Sequence, residues 1–209
     1  MKITPLLTFN RNRRSLIHRI AMYGRKKPIM KTEKLLRIAL VLIVAGQLLG
    51  TIADSLARTL VEMPAWRHLG PEAWAAFSRS ADLGNGKIMY PLAGIGGTLL
   101  ILAAAIAFRL SSRRPLFVAI PLYGAASMAI CVMLTTTQAA PIMLSLHRIG
   151  NDPATLQQAF EGFYRWDSIR AVFGALEGCA ETWALVALLS VPAGIQMPAY
   201  ENLRSPMKS

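Results

Sequence analysis

The sequence predicts an all-α membrane protein, an antiparallel four-helix transmembrane bundle with short helices on its outer face. Three observations carry that reading. Of the 209 residues, 54% are hydrophobic and only 16% charged, where a soluble domain carries about a quarter. The apolar residues gather into four runs, each at least as long as the roughly 20 residues a helix needs to cross a bilayer core. Lys and Arg concentrate on one side of those runs. The eleven that lie in residues 1–37 make that stretch +10 of the formal +12.

A basic tail, 1–34, comes first. A polar stretch this long, followed by an apolar run this long, does not fit a secretory signal peptide. Basic residues directly before a membrane helix hold that end in the cytoplasm and attract anionic lipid headgroups. Nucleic acid is not the expected partner, because no aromatic or Gly-rich pattern is interleaved with the charges. Leu16, Ile20 and Tyr23 fit a short interfacial helix, and a disordered basic tail is the competing reading.

The transmembrane domain spans 35–195, with helices expected over 35–61, 88–110, 115–146 and 169–194. Helix three opens on Pro115, where a missing N–H costs little. The first helix carries Gly46, Gly50, Ala53 and Ala57 at steps of four, three and four. Small residues at that spacing mark faces where membrane helices approach closely. Ala93 and Gly97, Ala125 and Ala129, and Gly174, Gly178 and Thr182 do the same for the other three helices. Gln47 reads as an interhelical hydrogen bond. A C-terminal tail, 196–209, follows the last helix.

Orientation follows from the loops. The turn between helices two and three holds Arg109, Arg113 and Arg114, whereas the two longer loops also carry Glu62, Glu72, Asp82, Asp152, Glu161 and Asp167. The positive-inside rule puts both termini in the cytoplasm and the longer loops outside. The expected location is the cell's inner membrane, with the chain crossing it several times. Gly70-Pro71-Glu72 opens a short helix through Phe77. Asn151-Asp152-Pro153 caps an amphipathic stretch, with Leu156, Phe160, Phe163 and Trp166, that runs into helix four. Trp66, Tyr164 and Trp166 suit the outer interface.

Ionisable residues inside such helices are costly unless interior, paired or functional. Asp54 stands four residues after Gly50, on the first helix's small-residue stripe. Glu177 and Glu181 share one face of helix four, each three residues after a glycine. Thr135, Thr136, Thr137 and Gln138 form a polar run in the outer half of helix three, with Arg58 and Arg170 flanking the same level. The expected result is one polar chamber, lidded by the outer loops, that binds or transforms a small molecule. In the competing reading, Glu177 and Glu181 pair with Arg58, Arg170 or Thr hydroxyls and only fix helix register.

No metal and no cofactor is expected. His18, His68 and His147 all lie outside the helix centres, and Cys131 and Cys179 form no CxxC pair. A homo-oligomer is a compatible assembly.

The order of parts resembles the DUF1772, or anthrone-oxygenase-like, family of small four-helix membrane proteins. Pro64 and Trp66 follow the first helix, and a basic inner turn comes next. A Thr-rich run continues through Gln138 and Pro141, and Trp166 precedes Arg170 at the start of helix four. The family pattern commonly has Asn after that Pro, where this chain has Ile142. The resemblance covers roughly 35–195. It implies a cofactor-independent oxygenase in which a substrate carbanion meets O₂ directly. On that reading Glu177 or Glu181 is the catalytic base. Arg170 and Gln138 stabilise the enolate oxygen, and Trp166 covers a flat aromatic substrate. A proton- or cation-linked transporter or accessory subunit using Asp54, Glu177 and Glu181 is the main alternative, and a structural assembly protein the third.

Overall fold

The computed structural model describes residues 8–112 and 114–191, with side chains from Thr32 onward. The lipid-binding and interfacial readings of the basic tail, Arg113 of the basic turn and the C-terminal tail 196–209 lie outside the residues whose side chains are described.

The described residues form six α-helices: α1 (Thr8–Leu56), α2 (Met63–Leu69), α3 (Pro71–Ser80), α4 (Gly86–Leu110), α5 (Leu116–Ser145) and α6 (Pro153–Ser190). Two short π-helical segments join them, Ala57–Glu62 after α1 and Ala81–Asn85 before α4. Four helical stretches are long and apolar enough to cross a bilayer: Thr32–Leu69, Pro71–Leu110, Leu116–Ser145 and Pro153–Ser190. The chain is a multi-pass membrane protein built as a four-helix bundle. α5 and α6 pack along the greatest length, α1 lies against α6 and α4, and α4 closes onto α5.

Local chemistry explains the breaks. Gly70 sits at φ 91°, a left-handed conformation that costs a glycine little, and the extended backbone before Pro71 then starts α3. Asp152 caps α6, accepting hydrogen bonds from the Thr155 N–H at 2.9 Å and the Thr155 hydroxyl at 2.7 Å. The expected amphipathic outer stretch and the fourth membrane helix are one continuous helix, Pro153–Ser190. The first apolar run, expected as one helix through Val61, instead changes to π-helix at Ala57.

Two apolar clusters divide the bundle along its length. Toward the 111–115 turn, here the turn end, Leu40, Val44, Ile101, Phe108, Val118, Leu122 and Leu188 pack with a run of alanines. At the other, loop end, Met63, Trp66, Trp74, Leu146, Leu156, Phe160 and Phe163 form an aromatic cap. Trp66, expected at the interface, is buried there. It stacks near Phe77 at 5.3 Å between ring centres.

Candidate functional site

Two polar groups stand out, one at the loop-end rim and one deeper, toward the middle of the bundle. The π-helical segment after α1 holds Arg58 and Glu62, and α6 supplies Asp167 and Arg170. Arg58 bonds Glu62 at 3.0 Å and approaches Asp167 at 3.5 Å, and Arg170 bonds Asp167 at 2.7 Å. Arg170 also reaches Asp54 at 4.0 Å. The Arg58 guanidinium lies over the rings of Trp66 and Phe163, at 5.1 and 5.4 Å from their centres. Stacking of this kind suits the flat, weakly hydrated guanidinium. π-helical turns recur at functional sites because they re-aim side chains that a regular helix would place elsewhere.

Deeper in the bundle, α6 presents Glu177 and Glu181 one turn apart. Glu181 is 0% exposed and Glu177 6%. Neither oxygen of Glu181 has a hydrogen-bond partner among the described residues. The Thr51 hydroxyl of α1 lies beside it. At 1.5 Å per residue, Glu181 is about 14 Å from the turn end of α6, inside the membrane-spanning stretch. An isolated negative charge in such surroundings costs several kcal/mol. The pair therefore calls for a positive partner, and among the described residues Arg58 and Arg170 are engaged elsewhere. What can satisfy two carboxyl groups there is a proton or a small cation.

The expected chamber is not assembled as one unit. Asp54 was expected on the packed stripe of the first helix; its side chain is 63% exposed. Gly46, Gly50, Ala53 and Ala57 are exposed as well, and a methyl group built on Gly46 or Gly50 would meet nothing within 4 Å. The face of α1 that does pack is the polar one. A methyl built on Gly174 would come within 3.3 Å of Ser55 Oγ, and one on Gly178 within 3.9 Å of Thr51. On Gly97 it would come within 2.8 Å of the Gln47 amide. Burying Gln47, Thr51 and Ser55 at helix contacts spares them contact with lipid. That outweighs what four small residues gain by close approach.

Thr137 and Gln138 are exposed on α5, and the three threonines bond back to their own helix. Thr135 and Thr136 donate to the Val132 carbonyl at 2.8 Å, and Thr137 to that of Leu134 at 2.7 Å. Back-bonding of this kind satisfies a hydroxyl locally. Trp166 is half-buried at the edge of the aromatic cap. His68 and His147 are exposed, and among the described residues no three His, Cys, Asp or Glu side chains form a metal-binding group. Cys131 and Cys179 are free thiols.

Trp74, Ser78 and Asp82 were not singled out from the sequence. They recur at steps of four along one face of α3 and its continuation, and all three are buried. The Trp74 Nε1 and the Ser78 Oγ have no partner among the described residues, and the buried Asp82 carboxylate lies near Arg58 and the Tyr90 hydroxyl. The four-residue step was the available signal. Asp82 otherwise reads as an ordinary loop acid.

Two surface hollows flank the cap, and neither is lined by Glu177 or Glu181. One of about 420 Å³ has Pro141, Ile142, Ser145 and Ala159 in its wall. The other, about 200 Å³, includes Met63, Arg67, Tyr164 and Asp167. Compared with protein-family models, curated proteins and solved structures, the chain matches none.

Proposed function

We propose that this multi-pass membrane protein binds a proton or a small cation at Glu177 and Glu181, as a transporter or as an accessory subunit of a membrane assembly. The observation that carries the reading is Glu181, wholly buried with both carboxylate oxygens unpartnered. Glu177 stands one turn away, and the neighbouring arginines are committed to Glu62, Asp167 and Asp54. Register-fixing ion pairs would leave no such excess of carboxylate. A transporter of four helices would act as an oligomer.

Infrared difference spectroscopy of the reconstituted protein, between acidic and alkaline buffer, tests the binding directly. The carboxyl C=O band that changes with pH should disappear in Glu181→Gln and weaken in Glu177→Gln. Proteoliposomes carrying the native chain should show pH-dependent cation flux, or bind the cation without moving it if the chain is an accessory subunit. An unchanged carboxyl band in both variants removes the reading.

The resemblance to anthrone oxygenases supports a second use of the same carboxylates, as the base that abstracts a proton next to a carbonyl. That chemistry asks for Gln138 and Arg170 at the enolate oxygen. Gln138 is exposed on α5 and Arg170 is held by Asp167. Oxygen uptake with anthrone-like compounds that vanishes in Glu181→Gln would favour the enzyme over the cation site.

A further inference from the structure

How the carboxylates are reached can be read from the polar face of α1. Gln47, Thr51, Ser55 and Arg58 follow one another at steps of four, four and three, and so share one side of the helix. Ser55 meets Gly174, Thr51 meets Gly178 and lies beside Glu181, and Gln47 meets Gly97 of α4. All three are half-buried, neither sealed in the core nor turned fully outward. Toward the loop end this row meets the charged rim, where Asp54, Glu62 and Asp167 surround Arg58 and Arg170. Toward the turn end it runs into Leu40, Val44, Ile101, Ala184 and Leu188, all buried and apolar.

A polar row that starts at a part-exposed, charged rim, reaches a buried carboxylate and stops against apolar packing has the layout of a half-channel closed on one side. We propose that the α1–α6 seam is a water-accessible half-channel open at the loop end. Its substrate is a hydrated proton or small inorganic cation, not an organic molecule dissolved in the membrane. The proposal rests on reading Glu177 and Glu181 as the proton or cation site. Three carboxylates against two guanidinium groups at the rim favour cations, since an entrance lined by an excess of one sign concentrates the opposite ion. The apolar half beyond Glu181 gives an ion no group with which to replace its hydration shell.

Thiol labelling tests the route without any transport assay. With Cys131 and Cys179 replaced by Ala, single cysteines are introduced as Ser55→Cys, Thr51→Cys and Val44→Cys in oriented proteoliposomes. Charged, membrane-impermeant methanethiosulfonates are then added on one side at a time. The S55C and T51C thiols should react from the loop-end side only, with the cationic reagent about 10-fold faster than the anionic one. The V44C thiol should react from neither side. Modification of S55C and T51C by a lipid-soluble maleimide alone, from both sides, or by no reagent overturns the half-channel.

The unaltered chain offers a second measurement that needs no cysteine background. A charged, water-soluble carbodiimide added at the loop end should modify Glu177 or Glu181, as read by mass spectrometry. Modification by dicyclohexylcarbodiimide alone places the entrance in the lipid and also overturns the proposal. Thiol labelling as expected, with no carboxyl band that depends on Glu181, leaves the half-channel standing and removes the cation-site reading.

Discussion

The two halves of the bundle face the same bilayer and are held by different means. At the turn end, contact is almost wholly apolar, and alanines at 104, 105, 119, 125, 126, 129, 184 and 187 let the helices close on one another. The polar exceptions sit at its edge, where Arg37 donates to the Leu188 and Leu189 carbonyls at 3.0 Å. At the loop end, two arginines cross-link three carboxylates, six aromatic rings gather near one another, and buried polar atoms go unpartnered. Lipid tails are as apolar as a leucine, so helices in a membrane gain little from apolar burial itself and rely on close packing and polar contacts. The turn end uses the first means and the loop end the second. The turn end therefore reads as a seal, and the loop end as the place where something polar enters.

The largest expected effect comes from moving a carboxylate across that boundary. Ala184 is fully buried one turn beyond Glu181 toward the turn end. Ala184→Glu should cost about 3 kcal/mol or more, seen as a lost or strongly lowered melting transition in detergent. Normal stability would mean that water already reaches the turn-end half, and the contrast would fail.

A smaller effect is expected where polar bonds hold the loop end. Arg79 donates to the carbonyls of Leu146, Ile149 and Gly150 at 2.9–3.0 Å and to Asn151 Oδ1 at 2.7 Å. It thereby ties α3 to the connection between α5 and α6. Arg79→Ala should cost about 2 kcal/mol, with faster hydrogen exchange confined to 146–152. Destabilisation spread evenly into the turn-end helices would show that the two halves do not unfold separately.

The smallest effect concerns the cap of α6. The hydroxyl and N–H of Thr155 hold the Asp152 carboxyl below the ordinary aspartate range. Because the folded value is lowered, the contribution is complete above the ordinary value. It is lost as pH falls through the lowered one. Exchange in the first turn of α6 should therefore speed up only in strongly acidic buffer. Asp152→Asn should keep most of the capping bond and lose that pH dependence. An unchanged acid response in the variant would assign the effect to another group.

The sequence by itself determined the four membrane crossings, since unbroken apolar runs of that length have few other stable outcomes. It also located Ala125, Ala129, Gly174 and Gly178 at contacts, and Glu177 and Glu181 in the interior. A carboxylate three residues after a packed glycine on the same helix has little chance of meeting lipid. Only the tertiary structure decided which face of α1 is inside. Two stripes of matching period run along that helix, one small and one polar. Spacing alone cannot rank them, because a glycine faces lipid at little cost while a glutamine or threonine does not. Tertiary contact also separated Thr137 and Gln138 from the carboxylates, since a hydroxyl can bond back to its own helix and leave no trace in the pattern. Asp82 was legible only through its four-residue step from Trp74 and Ser78, since a loop acid carries no other mark of burial. The π-helical segments themselves were not legible, because one added residue per turn leaves no mark in the local composition.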